Sequence, residues 1–221
     1  MTDLIFEIFR LVMEPTYQTV VMVFWTVFFA LLMGMPIGVM LCVTSDNGIY
    51  PKPIFNKCLN MFINLFRSFP FLILMILVFP LARFIVGESI GTKASIVPLA
   101  VATTPFIARI IQNALQDVPW DIVQTAKIIG STNWQIVRKV LIPEALPSIV
   151  SGVTLTVIAV IGNSAMAGAI GGGGLGDLAI RYGYHRFRSD IMFGAVMIII
   201  LLVVLVQWFG NKIVKKIISA R

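Results

Sequence analysis

Charge is what this chain most lacks. Only 12% of its 221 residues are Asp, Glu, Lys or Arg, against 58% hydrophobic residues and a mean hydropathy of +0.96. A soluble domain carries about 25% charged residues, so the composition excludes one and leaves an integral membrane protein. Cysteine and histidine are scarce as well, with Cys42, Cys58 and His185 the whole supply. The two cysteines have no metal-ligand spacing and no accompanying histidine, which removes a zinc-type site and leaves buried, small apolar side chains. His185, alone in an expected loop, supports neither metal binding nor proton coupling. Acidic residues are missing from all the long apolar runs, which argues against a proton- or sodium-coupled carrier built on intramembrane carboxylates. A basic leading segment is missing too, because Asp3 and Glu7 precede Arg10. That pattern is not a cleavable signal peptide, and the first apolar helix is expected to stay as an anchor.

What charge there is sums to +7 and falls mostly in loops and the tail. Topology and anionic lipid headgroups account for it without nucleic acid. The apolar runs predict five crossings, at about 17–43, 60–83, 94–115, 147–170 and 191–210. Ahead of them, residues 1–15 read as a short interfacial amphipathic segment with a break at Pro15. In crossing one, Gly34, Pro36 and Gly38 suit close helix contact and a kink. Crossing two is the least tidy, interrupted by Arg67-Ser68-Phe69-Pro70 and Pro80, so its arginine stems are expected to snorkel to the headgroups. Crossing three carries Arg109 toward its end, a candidate support for the loop that follows rather than a substrate ligand. Crossing four is rich in Ser, Thr, Ala and Gly, which let helices pack backbone to backbone. The four glycines Gly171 to Gly174 lack the Lys-Ser/Thr of a nucleotide loop and read as a flexible re-entrant turn.

Between crossings three and four lies the stretch around which the chain is organised, the cytosolic loop 116–146. Pro119 is placed to start a helix, Asp117 can cap it, and Asp121 adds negative charge at its positive end. Ile122, Ala126 and Ile129, with Val123 beside them, give that helix one apolar face. Gly130 turns the chain, Ser131-Thr132-Asn133 begin a second short helix near Trp134, and Ile142-Pro143 is expected to end it. With the N-terminus outside, the larger share of the loop and tail cations, including Lys127, Arg138, Lys139, Lys212, Lys215 and Lys216, falls in the cytosol.

The order Ala126, Gly130, Val140, Ile142-Pro143 resembles the cytoplasmic signature loop of permease subunits in binding-protein-dependent ABC importers. Gln124-Thr125, Val140 and Ile142 depart from the usual residues without changing the spacing. The Arg67-x-x-Pro70 pattern is similar to one opening a core helix in amino-acid importers. Over nearly the whole chain, and through NSAMAGAIGGGGLGDLAIRYGY above all, the sequence resembles the permeases of methionine ABC importers that take both D and L forms. The resemblance implies an all-α integral membrane protein of the type I ABC importer permease fold, in a bacterial inner membrane. It implies a pair of such chains, two ATP-binding cassette subunits that use ATP and Mg, and an extracytoplasmic methionine-binding protein. The permease itself would bind no cofactor and perform no covalent chemistry. Under this reading Pro119, Trp120, Val123, Ala126, Ile129, Gly130 and Pro143 belong to the element that couples to the ATPase. Asn163, Ser164 and Met166 are candidates for the translocation path, with Met166 a gate plug at the two-fold axis or an ordinary packing residue. Substrate identity rests on the resemblance alone, and a permease for another small amino acid or for glycine betaine is the nearest alternative.

Overall fold

The computed structural model describes residues 2–88 and 90–220, with side chains described from residue 11 onward. Its elements are helices throughout: α1 (Thr2–Val43), α2 (Pro53–Ser68), α3 (Phe71–Val86), α4 (Thr92–Gln116), α5 (Trp120–Ile128), α6 (Asn133–Ile136), α7 (Ile142–Ala169), α8 (Gly174–Leu178) and α9 (Ser189–Ser219). Among the described residues, four stretches are long and apolar enough to cross a membrane: Leu11–Val43, Thr92–Gln116, Asn133–Ala169 and Ser189–Ser219. α2 and α3, on either side of Pro70, pass the same test of length and hydropathy only when taken together. Helices are the expected solution, since lipid offers no partner for a free backbone N–H or C=O.

Three prolines behave differently from the sequence expectation. Pro15 does not break α1, which runs without interruption for 42 residues, so its first turns are not a separate segment. The hydroxyl of Thr16 donates to the carbonyl of Val12 in the same turn (2.7 Å). Crossing two is not one helix over 60–83. It stops at Ser68 and restarts at Phe71, because Pro70 takes the extended conformation of a residue ahead of a helix (φ −57°, ψ 130°). Pro80, by contrast, lies inside α3. The helix pair after Gly130 does not end at Ile142-Pro143 either. A π-helical turn, Val137–Leu141, carries α6 directly into α7. Widening the ladder just before Pro143 relieves the clash between a proline ring and the carbonyl four residues back. The helix that holds crossing four therefore begins at Asn133 rather than 147, and α9 continues to Ser219, nine residues beyond the expected 210.

The chain divides into two compact units. The first comprises residues 1–29, 69–103 and 157–208. Its core has one cluster around Met22, Met75, Leu99 and Ala167 and another around Val12, Leu175, Leu178, Ile191 and Ala195. The second comprises residues 30–68, 104–156 and 209–221. There the close contact expected of Gly34 and Gly38 is present: a Cβ on Gly34 would stand 2.8 Å from Ile107 Cγ2, and one on Gly38 2.5 Å from the carbonyl oxygen of Ala108. Ile107, Ile111 and Leu115 extend that contact into a cluster that also takes in Val123, Ile136, Val137, Leu141 and Ile149. Cys42 is buried in this cluster, whereas Cys58 is exposed, so the expectation of two buried thiols holds for one of them.

Candidate coupling site

The helical hairpin from Trp120 to Leu141 lies wholly within the second unit. Pro119 occupies the position before the first helical residue (φ −54°, ψ 127°), and no side chain caps α5. Asp117 makes no side-chain hydrogen bond to that turn among the described residues. Asp121 stands in that turn as expected, favoured by the helix dipole. At the other end Gly130 adopts φ +90°, with Ser131 N–H donating to Ala126 C=O (3.1 Å) and Gly130 N–H to Lys127 C=O (3.0 Å). These paired bonds are the Schellman closure of a helix, which needs a left-handed residue and so favours glycine. Thr132 then opens α6 with a reciprocal capping box. Its Oγ1 accepts from Gln135 N–H (3.3 Å), and the Gln135 side chain accepts from Thr132 N–H (2.9 Å).

The two short helices bury one face and leave the other bare. Val123 is fully buried, and Ala126 is packed at the edge of the same cluster with Ile136, Val137 and Leu141. Val123 therefore cannot be a contact for another protein. It anchors α5 to its own unit, and the sequence grouping of Val123 with Ile129 joined residues from opposite faces. The uncovered face carries Trp120, Ile122, Ile128, Ile129 and Trp134, with Ile128 85% and Ile129 78% exposed. Ile128 was missed in the sequence, although Trp120, Gln124 and Ile128 repeat every four residues along one stripe. Lys127 Nζ sits 5.1 Å from the Trp120 ring centroid, which fixes the indole against the helix. Beside α5 opens a cavity of about 830 Å³ whose lining includes buried Cys42, Leu115, Val123 and Leu141 and exposed Asp46 and Asp117. Pro143, further along, belongs to the continuous helix and not to a terminus.

The other candidate residues lie at the end of α7 in the first unit. Ser164 is buried and its hydroxyl donates to Ile161 C=O (2.7 Å), Asn163 is half-buried, and Met166 is 52% exposed. The glycine run that follows is a built turn rather than a slack one. Gly171 has φ +88°, with Gly172 N–H donating to Ala167 C=O (2.9 Å) and Gly171 N–H to Gly168 C=O (3.1 Å), a second Schellman closure. Gly91 N–H donates to Gly171 C=O (3.1 Å). From α1, Gln18 Oε1 accepts from Gly174 N–H (2.9 Å) and Thr19 Oγ1 from Leu175 N–H (2.9 Å). These bonds hold the start of α8, a helix the sequence reading overlooked although Leu175 and Leu178 stand three residues apart after the glycines. Arg109 has partners unlike those expected. It reaches Asn64 on α2 and Gln112 on its own helix rather than the loop after Gln116.

Apolar helices long enough to cross a membrane define a membrane-embedded protein, and the capped hairpin with its exposed apolar side chains is set within one of its units. Residues 34–219 match the family described as the binding-protein-dependent transport system inner membrane component. The chain belongs to this family, and it is a multi-pass inner-membrane component with the type I ABC importer fold. It is 45% identical to the probable D-methionine transport system permease protein MetI of Pasteurella multocida, over 95% of this chain and 97% of the relative. It is 40% identical to the methionine import system permease protein MetP of Bacillus subtilis, over 79% of this chain and 78% of that one. Among solved structures, a chain of the MetNI methionine ABC transporter in an inward-facing conformation superposes with a TM-score of 0.93 at 41% identity, covering 95% of this chain and 97% of that one.

Proposed function

We propose that this chain is the membrane-spanning permease of an ATP-driven importer for methionine in its D and L forms. Full-length similarity to permeases named for methionine carries the reading. Two copies would form the translocation path, with an ATP-binding cassette subunit docked on each and an extracytoplasmic methionine-binding protein delivering the solute. ATP and Mg would be used by the cassette subunits, and this chain would supply no catalytic residue. The N-terminus would lie outside and the basic tail of α9 in the cytosol, which the distribution of loop cations favours.

In this mechanism α5 is the coupling helix. Trp120, Ile122, Ile128 and Ile129 seat in the ATPase, while Val123 and Ala126 fix the helix to the permease, so closure of the two ATPases moves α5 and its unit together. Pro119 and Gly130 set the ends of the lever. The π-helical turn before Pro143 passes the motion into α7 without a loop to absorb it, since Asn133–Ala169 is continuous. At the far end of that helix Met166 projects from the surface of its unit, as a gate residue meeting its twin across the two-fold axis must. Met suits that place because its unbranched side chain fills irregular gaps. Buried Ser164 and half-buried Asn163 then shape the helix behind the gate.

The test is uptake of labelled methionine by proteoliposomes holding the permease with its ATPase and binding protein. Accumulation that requires ATP and is competed by methionine better than by other amino acids is the expected result. ATP-dependent accumulation of another solute with none of methionine would overturn the substrate.

A further inference from the structure

Two arginines of the second unit sit within membrane-crossing sequence and have no carboxylate to neutralise them. Asn64 and Arg67 are three residues apart on α2, and Phe106, Arg109 and Gln112 repeat at the same interval on α4, so each set shares a helix face. Arg109 Nη1 donates to Gln112 Oε1 (2.7 Å) and Nη2 to Asn64 Oδ1 (2.8 Å). Its Nε is buried with no hydrogen-bond partner. The Arg67 guanidinium lies over the Phe106 ring, 5.2 Å from the centroid. Neither arginine has an ion pair among the described residues, and α2, α4 and residues 30–43 of α1 contain no Asp or Glu.

A guanidinium at membrane depth is costly unless it meets water, a partner or a counter-charge. Here both partners of Arg109 are neutral amides, which orient the guanidinium plane and leave its charge uncompensated. Arg109 Nη2 keeps a second N–H beside the one given to Asn64, and the exposed Arg67 guanidinium makes no hydrogen bond among the described residues, so the two can offer N–H groups to a carboxylate or phosphate. Asn64 and Arg67 are exposed and Arg109 is half-buried, so the cluster opens onto the surface of its unit rather than being sealed within it.

We propose that Arg67 and Arg109, oriented by Asn64, Gln112 and Phe106, form an oxyanion station that holds the carboxylate of the amino acid during its passage. This rests on the reading that the chain carries an amino acid. It gives the permease a subsite for the backbone end of the solute and none for its side chain, so the station recognises amino acids as a class. A lipid phosphate offers the same chemistry and is the rival occupant.

The experiment uses the whole transporter, permease with its ATPase, in nanodiscs of phosphatidylcholine with or without added phosphatidylglycerol. It reads equilibrium binding of labelled methionine, competed by unlabelled methionine or by methionine methyl ester, whose carboxyl carries no charge. Wild type should prefer the acid by about tenfold or more, the discrimination expected when a built hydrogen-bonding site loses its ligand group. R67Q and R109K should each bring that ratio close to one. N64D, which gives Arg109 a carboxylate of its own, should do the same and does not depend on tolerating the loss of an arginine. An unchanged ratio in R67Q and N64D overturns the proposal. So does loss of bound phosphatidylglycerol in R67Q, read by native mass spectrometry, with the ratio intact, since that assigns the cluster to lipid. If wild type binds a different amino acid, the methionine reading fails, and the ratio for that amino acid and its ester still decides the station.

Discussion

Two helix–glycine–helix turns in this chain are built alike and finished differently. At Gly130 and again at Gly171 a helix closes with the same pair of backbone bonds around a left-handed glycine, and a short helix follows. After Gly171 that helix is swallowed by its own unit: Gly174, Leu175, Gly176 and Leu178 are all buried, and Gln18 and Thr19 hold its first N–H groups. Around Gly130 the flanking helices bury Val123, Ile136 and Val137 yet leave Ile128, Ile129 and Trp134 bare. The same closure serves in one place to complete a core and in the other to present a surface. The short helix after Gly171 is thus closed off within its unit, whereas the hairpin around Gly130 keeps exposed apolar side chains.

The comparison is broken most severely at Gly176. A Cβ there would run into the backbone of Ala165, and backbone cannot step aside as a side chain can. Gly176→Leu should cost about 3 kcal/mol or more and abolish recovery of folded protein from membranes, measured by size-exclusion profile in detergent. Thr19→Val comes next. It keeps the shape but strands the buried Leu175 N–H, a loss of about 1–3 kcal/mol that should lower Tm while leaving ATPase docking unchanged. Gly130→Ala is milder still, because nothing lies within 4 Å of a Cβ there and only the positive φ opposes it. The strain is about 1–2 kcal/mol. The variant should reach the membrane in normal amount and lose methionine uptake per ATP hydrolysed, whereas equal uptake per ATP would remove Gly130 from the coupling path.

The presence of both turns was legible in the sequence, their different burial was not, and the reason is physical. Composition and run length pointed to long apolar helices, since about 20 apolar residues leave few alternatives, and the spacing from Ala126 to Pro143 pointed to the short helices Trp120–Ile128 and Asn133–Ile136. Proline was the weakest guide. Pro15 and Pro143 sit inside continuous helix, while Pro70 marks a true break, and the residue alone does not distinguish a ladder that can widen from one that stops. Periodicity showed that α5 is amphipathic but could not say which apolar residues face inward. Both Val123 and Ile129 are apolar, and only tertiary packing separates the buried anchor from the exposed contact. The bonds from Gln18 and Thr19 span 156 residues, and no local pattern announces a contact of that range.

The claim that the bare face of α5 is the surface through which ATP hydrolysis acts is tested most directly where the permease itself should notice least. Ile128→Ser with Ile129→Ser changes two exposed side chains, so the isolated permease should keep its Tm within the shift of about 0.5 kcal/mol usual for surface substitutions. Reconstituted with its ATPase and binding protein, the double variant should bind the ATPase at least about tenfold more weakly, two apolar anchors being worth more than the 1.4 kcal/mol that factor represents. ATP-driven methionine uptake should fall with it. Unchanged ATPase affinity and uptake in a variant of unchanged stability would contradict the account.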